Sequence, residues 1–153
     1  MKRLLIALML VGLMSPKEIY AQEKELEVTE VSYEDAQMLM KIAQAEAGNQ
    51  GIEGMAAVMR VVLNRVMSDD FPDTVEEVIK QPYQFESYTD GAYESSEPST
   101  DCHLALAEVE RGLSDDVEIV AFETVKNGES LKRYFSYSYT IKDHNFYVKK
   151  VSQ

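Results

Sequence analysis

Residues 32–66 read SYEDAQMLMKIAQAEAGNQGIEGMAAVMRVVLNRV, and this stretch decides the fold because it encodes two consecutive helices. Apolar residues recur in both halves at spacings of three and four, the period of a helix with a buried face. Ser32 and Asp35 form a capping box at the start of the first helix, which we predict over 33–46 and which ends at a glycine. The second helix is predicted over 53–66.

The remainder of the chain changes from helical to strand-like patterns. Thr74 begins a short helix over 75–80, and Ser99 or Thr100 begins another that ends at Gly112. Strands are predicted over 118–125, 131–140 and 145–149. Asn127-Gly128 lies between the first two strands, and this dipeptide is a strong hairpin signal. Helices first and then a small antiparallel sheet indicate an α+β domain.

The N-terminal segment has the pattern of an export signal. Lys2 and Arg3 precede an apolar stretch over 4–14, and Ala21 offers a small residue for cleavage. Eleven apolar residues are too few to cross a bilayer of about 30 Å, so we expect secretion and no stable membrane anchor. The predicted organisation is a signal peptide at 1–21, a linker at 22–31 and one catalytic domain at 32–153.

Composition excludes several classes of function. The formal net charge of −12 argues against binding to nucleic acid, and the acidic surface together with the absence of leucine heptads predicts a monomer. Cys102 is the single cysteine, so no internal disulfide is possible, and we expect it to be a small core residue. The two histidines do not form a zinc-binding pair, and no cofactor-binding motif is present. We therefore predict neither metal nor organic cofactor.

Glu46 is the candidate catalytic residue. It follows Leu39 by seven positions and Ile42 by four, so it projects from the apolar face of the first helix. A carboxyl group there is partly buried, and burial raises the pKa of an acid. Cleavage of a glycosidic bond near neutral pH needs such a protonated carboxyl group. The competing interpretation, from periodicity alone, is that Glu46 only ends the helix and faces solvent.

An ordered set of short motifs extends from this residue through about 110 residues. Its members are Glu46-Ala47, Gly54, Val58, Asn64-Arg65-Val66, Phe71-Pro72-Asp73-Thr74, Val78-Ile79, Gln81-Pro82, Gln84-Phe85, Asp90-Gly91, Ala105, Ala107, Gly112, His144 and Phe146-Tyr147. The set resembles the spore cortex-lytic type of cell wall hydrolase. The chain departs from that family's pattern at 48–51, and it matches weakly at 94–97 and 134–141.

The resemblance implies a lysozyme-like α+β fold and an enzyme that cleaves peptidoglycan glycan strands. It implies that Glu46 is the general acid of a lytic transglycosylase cutting between N-acetylmuramic acid and N-acetylglucosamine, with no metal or organic cofactor. Two alternatives stay open: a muramidase-type hydrolase with a second carboxylate, and an inactive wall-binding domain. Glu86 and Asp90 are the candidates for that carboxylate, whereas Glu53 is expected to cap the second helix.

Substrate contacts are expected from the segment around residues 83–90 and from the last strand. Gln84 can both donate to and accept from an N-acetyl group, and the rings of Phe85 and Tyr83 suit the face of a sugar. Core packing is the equal alternative for Phe85. Asp90 and His144 complete the predicted substrate-binding set. Arg65 is expected to make a structural hydrogen bond, with neutralisation of a peptide-stem carboxylate as the less favoured alternative.

Overall fold

The computed structural model describes residues 31–112, 118–128 and 130–150. Its helices are α1 (Tyr33–Ala47), α2 (Gly51–Val66), α3 (Val75–Lys80), α4 (Glu86–Thr89), α5 (Ala92–Ser95) and α6 (Thr100–Glu110). Its strands are β1 (Ile119–Thr124), β2 (Phe135–Ile141) and β3 (His144–Lys149). The predicted signal peptide lies outside the described residues, as does the predicted linker except for Val31, so both stay predictions. Within the described ranges, no helix is both long and apolar enough to cross a membrane.

The predicted helix starts are confirmed where a side chain caps the helix. The Ser32 hydroxyl accepts a hydrogen bond from the backbone N–H of Asp35 at 3.1 Å, and Thr74 does the same for Glu77 at 3.2 Å. Ser99, one of the two predicted candidates, caps α6. These caps satisfy backbone donors that have no partner within the first turn of a helix.

The start of α2 differs from the prediction. The helix begins at Gly51 with Gln50 as its N-cap residue, so Glu53 lies inside the first turn and its side chain is exposed. The expectation that Glu53 caps the helix is therefore wrong. Gly51 has a φ of +76°, a backbone conformation that glycine adopts without strain, and this residue allows the chain to turn directly from α1 into α2.

Helix α2 is the centre of the domain. Every residue from Gly54 to Met59 is buried, which means that this helix has no solvent face along one and a half turns. It is covered by α1, α3, α6 and β1, and the sheet contributes Ile119, Ile141 and Phe146 to the shared core. A helical segment that is buried on every side has to be surrounded, so residues 54–59 of α2 dictate where the neighbouring elements lie.

Two polar side chains at the end of α2 fasten it to β1. Asn64 Nδ2 donates to the carbonyl of Ile119 at 2.8 Å, and Arg65 Nε donates to the carbonyl of Val120 at 2.6 Å. The structural role expected for Arg65 is thus confirmed. Arg65 is 4% exposed, its guanidinium lies over the rings of Phe71 and Phe85, and burial lowers its pKa to about 10. Because Arg65 is buried and does not line the cavity beside Glu46 that is described below, the alternative role of neutralising a peptide-stem carboxylate does not fit.

The sheet has the antiparallel order β1-β3-β2, so the hairpin predicted at Asn127-Gly128 is wrong. The ten residues 125–134 connect β1 to β2 through two 3-10 turns instead of a tight turn. The central strand is β3, which is the most buried strand after β1. The edge strand β2 is largely exposed. The tight turn joins β2 to β3 at Lys142-Asp143, where Lys142 has a φ of +44°.

The buried face of α1 provides a test of this packing. Leu39 is completely buried, and we expect Leu39→Ala to lower the free energy of unfolding by about 2–5 kcal/mol because it leaves a cavity. Leu104 on α6 is 48% exposed and serves as the matched control, with an expected loss of about 0.5 kcal/mol or less for Leu104→Ala. Urea denaturation measures both, and equal losses would contradict the described packing.

Candidate active site

The Glu46 side chain lies where α1 ends against the rest of the domain. Leu39, Ile42 and Ala43 on the same face of α1 are completely buried, and Glu46 is half-buried. The prediction of a partly buried carboxyl group is confirmed. At Gly48 a Cβ atom would come within 2.6 Å of the Gln44 carbonyl oxygen, so a glycine is needed where the chain leaves α1.

Ser87 holds the Glu46 carboxyl group in place. Its hydroxyl donates to Glu46 Oε1 at 2.5 Å, and its backbone N–H donates to the same oxygen at 3.3 Å. Phe85 starts α4 and packs its ring against Phe122 with centroids 6.1 Å apart, which anchors the turn that carries Ser87. This turn belongs to the first of two short helices, α4 and α5, which follow each other along the chain.

The sequence interpretation missed Ser87. The one available signal was a serine in the first turn of a helix, where its backbone N–H has no partner within that helix. Its contact with Glu46 joins residues 41 positions apart, which local patterns do not predict.

Opposing influences act on the acidity of Glu46. Burial raises the pKa of its carboxyl group because the charged form is less well solvated there. The two hydrogen bonds from Ser87 favour the carboxylate and lower the pKa, while the negative charges of Asp90 and Glu86 raise it. Burial is the largest of these influences, so the resulting pKa is above the ordinary glutamate value.

The two hydrogen bonds also decide which oxygen carries the proton. Oε1 accepts both Ser87 donors, so in the neutral acid Oε1 is the carbonyl oxygen and the proton lies on Oε2. Within the described residues Oε2 has no hydrogen-bond partner. The acid therefore presents its proton on a free oxygen.

A cavity of about 290 Å³ opens beside Glu46. Its lining comes from the connection between α1 and α2, the turn after β1 and the turn between β2 and β3: Glu46, Asn49, Gln50, Thr124, Val125, Lys126, Asp143 and His144. Gln50 Oε1 accepts from the Asp143 N–H at 3.0 Å, and the Val125 N–H donates to the Asp143 carbonyl at 2.7 Å. These two bonds join all three segments into one wall.

His144 is the predicted substrate-binding residue that the structure brings to this cavity. The residue is 4% exposed, and its ring packs edge-on against Phe122 with centroids 5.4 Å apart. Burial lowers the pKa of the imidazole, so the ring is neutral at neutral pH. Its Nδ1 is buried and has no hydrogen-bond partner among the described residues.

The other predicted contacts are more scattered. Gln84 and Tyr83 are exposed and do not line the Glu46 cavity, and Tyr83 is fully exposed with a φ of +65°. Phe85 is only 2% exposed, so the core alternative holds and a direct contact of its ring with substrate does not fit. Asp90 is exposed and accepts from the Ala92 N–H at 2.8 Å, and its charge acts on Glu46.

Cys102, Glu53 and Glu86 do not line this cavity. The Cys102 thiol is buried and donates to the Met40 carbonyl at 3.3 Å, and burial raises its pKa to about 11, so it is the inert core residue that we expected. Among the described residues, no group of three or more histidine, cysteine, aspartate or glutamate side chains is placed to hold a metal ion.

The profile of the Cell Wall Hydrolase family matches residues 49–147, well over half of the chain. The chain belongs to the Cell Wall Hydrolase family. The matched segment begins just after Glu46 and ends within β3. The resemblance inferred from the motifs is thereby confirmed at the level of the family.

Two curated relatives of this cell wall hydrolase are spore cortex-lytic enzymes. The enzyme of Oceanobacillus iheyensis is 42% identical over 60 residues, and that of Bacillus cereus is 38% identical over 60 residues. Each alignment covers 39% of this chain, but only 22% of the first relative and 23% of the second. The chain thus matches less than a quarter of the length of these proteins.

Two solved structures share the fold of this cell wall hydrolase. One is the catalytic domain of the germination-specific lytic transglycosylase SleB from Bacillus anthracis, with a TM-score of 0.66 and 25% identity over 76% of this chain and 96% of that one. The other is the catalytic domain of the Bacillus cereus SleB protein, with a TM-score of 0.68 and 24% identity over 78% of this chain and 93% of that one. The predicted lysozyme-like α+β fold is confirmed.

The raised pKa of Glu46 has a consequence for folding stability. The native state holds this proton more tightly than the unfolded chain, so stability falls as pH rises from the unfolded value of about 4.3 through the native pKa. Glu46→Gln keeps an acceptor for Ser87 and removes the ionisation. We therefore expect the variant to gain stability over wild type on going from about pH 4 to pH 8.

Urea denaturation at several pH values measures this difference, with Glu53→Gln as an exposed control that should follow wild type. His144 is present in both proteins, so its contribution is common to the two curves. Parallel curves for wild type and Glu46→Gln would show that the native pKa is not raised.

Proposed function

We propose that this chain is an exported enzyme that cleaves peptidoglycan glycan strands as a lytic transglycosylase, with Glu46 as its general acid and base. The observation that carries the proposal is a half-buried carboxyl group with a raised pKa, fixed through Oε1 by Ser87 beside an open cavity. A bridging glycosidic oxygen leaves only when it is protonated, and burial of Glu46 favours the protonated form that can give this proton.

In the first step the proton on Glu46 Oε2 passes to the oxygen between N-acetylmuramic acid and N-acetylglucosamine. The bond from that oxygen to the muramic C1 breaks, and the N-acetylglucosamine end leaves as an alcohol. Glu46 becomes a carboxylate, and the two hydrogen bonds from Ser87 stabilise its charge for the short time that it exists.

In the second step Glu46 takes the proton of the muramic C6 hydroxyl, and that oxygen bonds to C1 to give a 1,6-anhydro end. The burial that raises the pKa of Glu46 also makes its carboxylate a stronger base. The residue ends the cycle protonated, as it began. One carboxyl group serves both steps, so this chemistry needs no second carboxylate, metal or organic cofactor.

Other residues are proposed to hold the strand. His144 is proposed to contact the sugar from the cavity wall, while Gln84 and Tyr83 are proposed to contact it outside the cavity, where both are exposed. Asp90 acts by keeping Glu46 protonated, since its negative charge raises the pKa of that carboxyl group. We propose that the protein works as a monomer outside the cell membrane, where its substrate lies.

The relatives support this assignment to different degrees. The Bacillus anthracis protein with the matching fold is described as a lytic transglycosylase, and the curated relatives are described as spore cortex-lytic enzymes. Since this chain matches less than a quarter of those relatives' length, we propose the glycan-cleaving reaction for it and not their restriction to the spore cortex.

One observation favours a hydrolase as the second candidate. Asp143 lines the same cavity as Glu46 and is an exposed carboxylate there. A muramidase-type hydrolase would use such a group to activate water or to bond to the sugar. Asp143 takes the place of Glu86 and Asp90 as the best candidate for that role.

The chemistry of the cleaved end separates these candidates. We expect wild type to release 1,6-anhydro ends from purified peptidoglycan, detected by mass spectrometry, and Glu46→Gln to lose about 10²–10⁴-fold of the rate. Glu53→Gln is the matched control, because it makes the same change on an exposed residue outside the cavity, and it should retain wild-type activity. Asp143→Asn should also retain activity in a transglycosylase.

Reducing ends together with loss of activity in Asp143→Asn would establish the hydrolase instead. Equal clearing of a peptidoglycan gel by wild type and Glu46→Gln would refute the role of Glu46, and no clearing by either would favour an inactive wall-binding domain.

A further inference from the structure

Two lysines flank the Glu46 cavity on its outer side. Lys126 lines the cavity from the turn after β1. Lys142 precedes the cavity residue Asp143 in the β2–β3 turn, and its Nζ reaches the start of α2, where a Cβ atom built on Gly51 would lie 3.2 Å from it. Both side chains are exposed, so a ligand in the cavity can reach their ammonium groups.

Neither lysine has an ion pair or a hydrogen bond through Nζ among the described residues. The other lysines in this part of the chain do have partners: Lys41 with Glu94, Lys80 with Glu76, Lys132 with the Tyr137 ring, Lys149 with Asp70 and Lys150 with the Arg133 carbonyl. The chain has 27 acidic residues against 15 lysines and arginines, so carboxylates are plentiful. Of these two lysines, Lys126 lines the cavity that contains the candidate acid, and Lys142 is the chain neighbour of the cavity residue Asp143.

Neither lysine is among the named influences on the pKa of Glu46, which are burial, the hydrogen bonds from Ser87 and the charges of Asp90 and Glu86. A lysine close to the carboxyl group would lower its pKa and weaken it as an acid at neutral pH. Lys126 thus adds a positive charge to the lining of the cavity without being a leading influence on the acidity of Glu46.

Resting on the proposed function, we propose that Lys126, assisted by Lys142, binds a carboxylate of the peptide stem that the muramic sugar carries. The muramic ring is the sugar whose C1 and C6 react at Glu46, so its stem leaves the ring within one sugar width of the acid. A lysine on a long flexible side chain at the cavity rim suits a carboxylate whose position varies. Lys126 thus takes the role of binding a peptide-stem carboxylate, which was the less favoured alternative for the buried Arg65.

Such a site gives the protein a preference for glycan strands whose peptide stems have free carboxylates. An exposed ammonium–carboxylate contact is worth a modest amount, so Lys126→Gln should weaken binding by about two- to fivefold and not abolish it. The effect should shrink with added salt, because exposed charges are screened.

The test measures dissociation constants in the Glu46→Gln background, where cleavage is expected to be too slow to disturb binding. Three soluble glycan fragments are compared: one with intact stems, one with the stem carboxylates converted to methylamides, and one whose stems have been removed to leave the lactyl carboxylate. We expect Lys126→Gln to weaken binding to the first fragment by about two- to fivefold and to leave binding to the second unchanged. Lys126→Arg should restore the affinity.

Lys150→Gln is the matched control, since it removes the same charge from an exposed lysine that hydrogen-bonds elsewhere and does not line the cavity. A Lys126 effect that persists on the third fragment would assign the lactyl carboxylate as the ligand and overturn the stem assignment. Equal affinities of Lys126→Gln and Lys150→Gln for all fragments would overturn the inference altogether. Cleavage by wild type is measured separately, so failure of the proposed reaction is distinguishable from failure of this binding site.

Discussion

The structure depends on the complete burial of residues 54–59 of α2. Because Gly54 to Met59 have no solvent face, α1, α3, α6 and the sheet have to close around this helix. Asn64 and Arg65 then fix the end of α2 to β1 through buried backbone carbonyls, and the orientation of the sheet follows. The cavity beside Glu46 exists because this arrangement brings the end of α1 to the turns of the sheet.

The charges and hydrogen bonds around Glu46 fit the chemistry proposed for this residue. Asp90 and Glu86 add negative charge near Glu46 and so keep its proton bound, in the same direction as burial. Ser87 opposes them, and its hydrogen bonds limit how unfavourable the carboxylate becomes after the proton has left. A carboxyl group that must both give and take a proton needs this balance, since extreme stabilisation of either form would slow one of the two steps.

Local patterns predicted the elements but not how they meet. The starts of α1, α3 and α6 could be predicted because a cap and the 3.6-residue period both lie within a few residues of each other. The half-burial of Glu46 could be predicted for the same reason. The order of the strands could not, because a turn signal at Asn127-Gly128 says nothing about which strand pairs with both of the others.

The site residues that the sequence did not predict depend, like the strand order, on contacts between distant parts of the chain. Ser87 meets Glu46 from 41 positions away, and Asp143 reaches Gln50 from 93 positions away, so both depend on the closure around α2. Phe85 was ambiguous as a motif residue, and only its packing against Phe122 shows that it supports the site from within the core.

The central claim is that burial raises the pKa of the Glu46 carboxyl group above that of a free glutamate. The most direct measurement is an NMR titration that follows the side-chain carboxyl ¹³C signal of Glu46, assigned by its absence in Glu46→Gln. The account predicts a midpoint clearly above the ordinary value of about 4.3. A midpoint at or below that value would contradict it, because the carboxyl group would then be ionised at neutral pH and would have no proton to give.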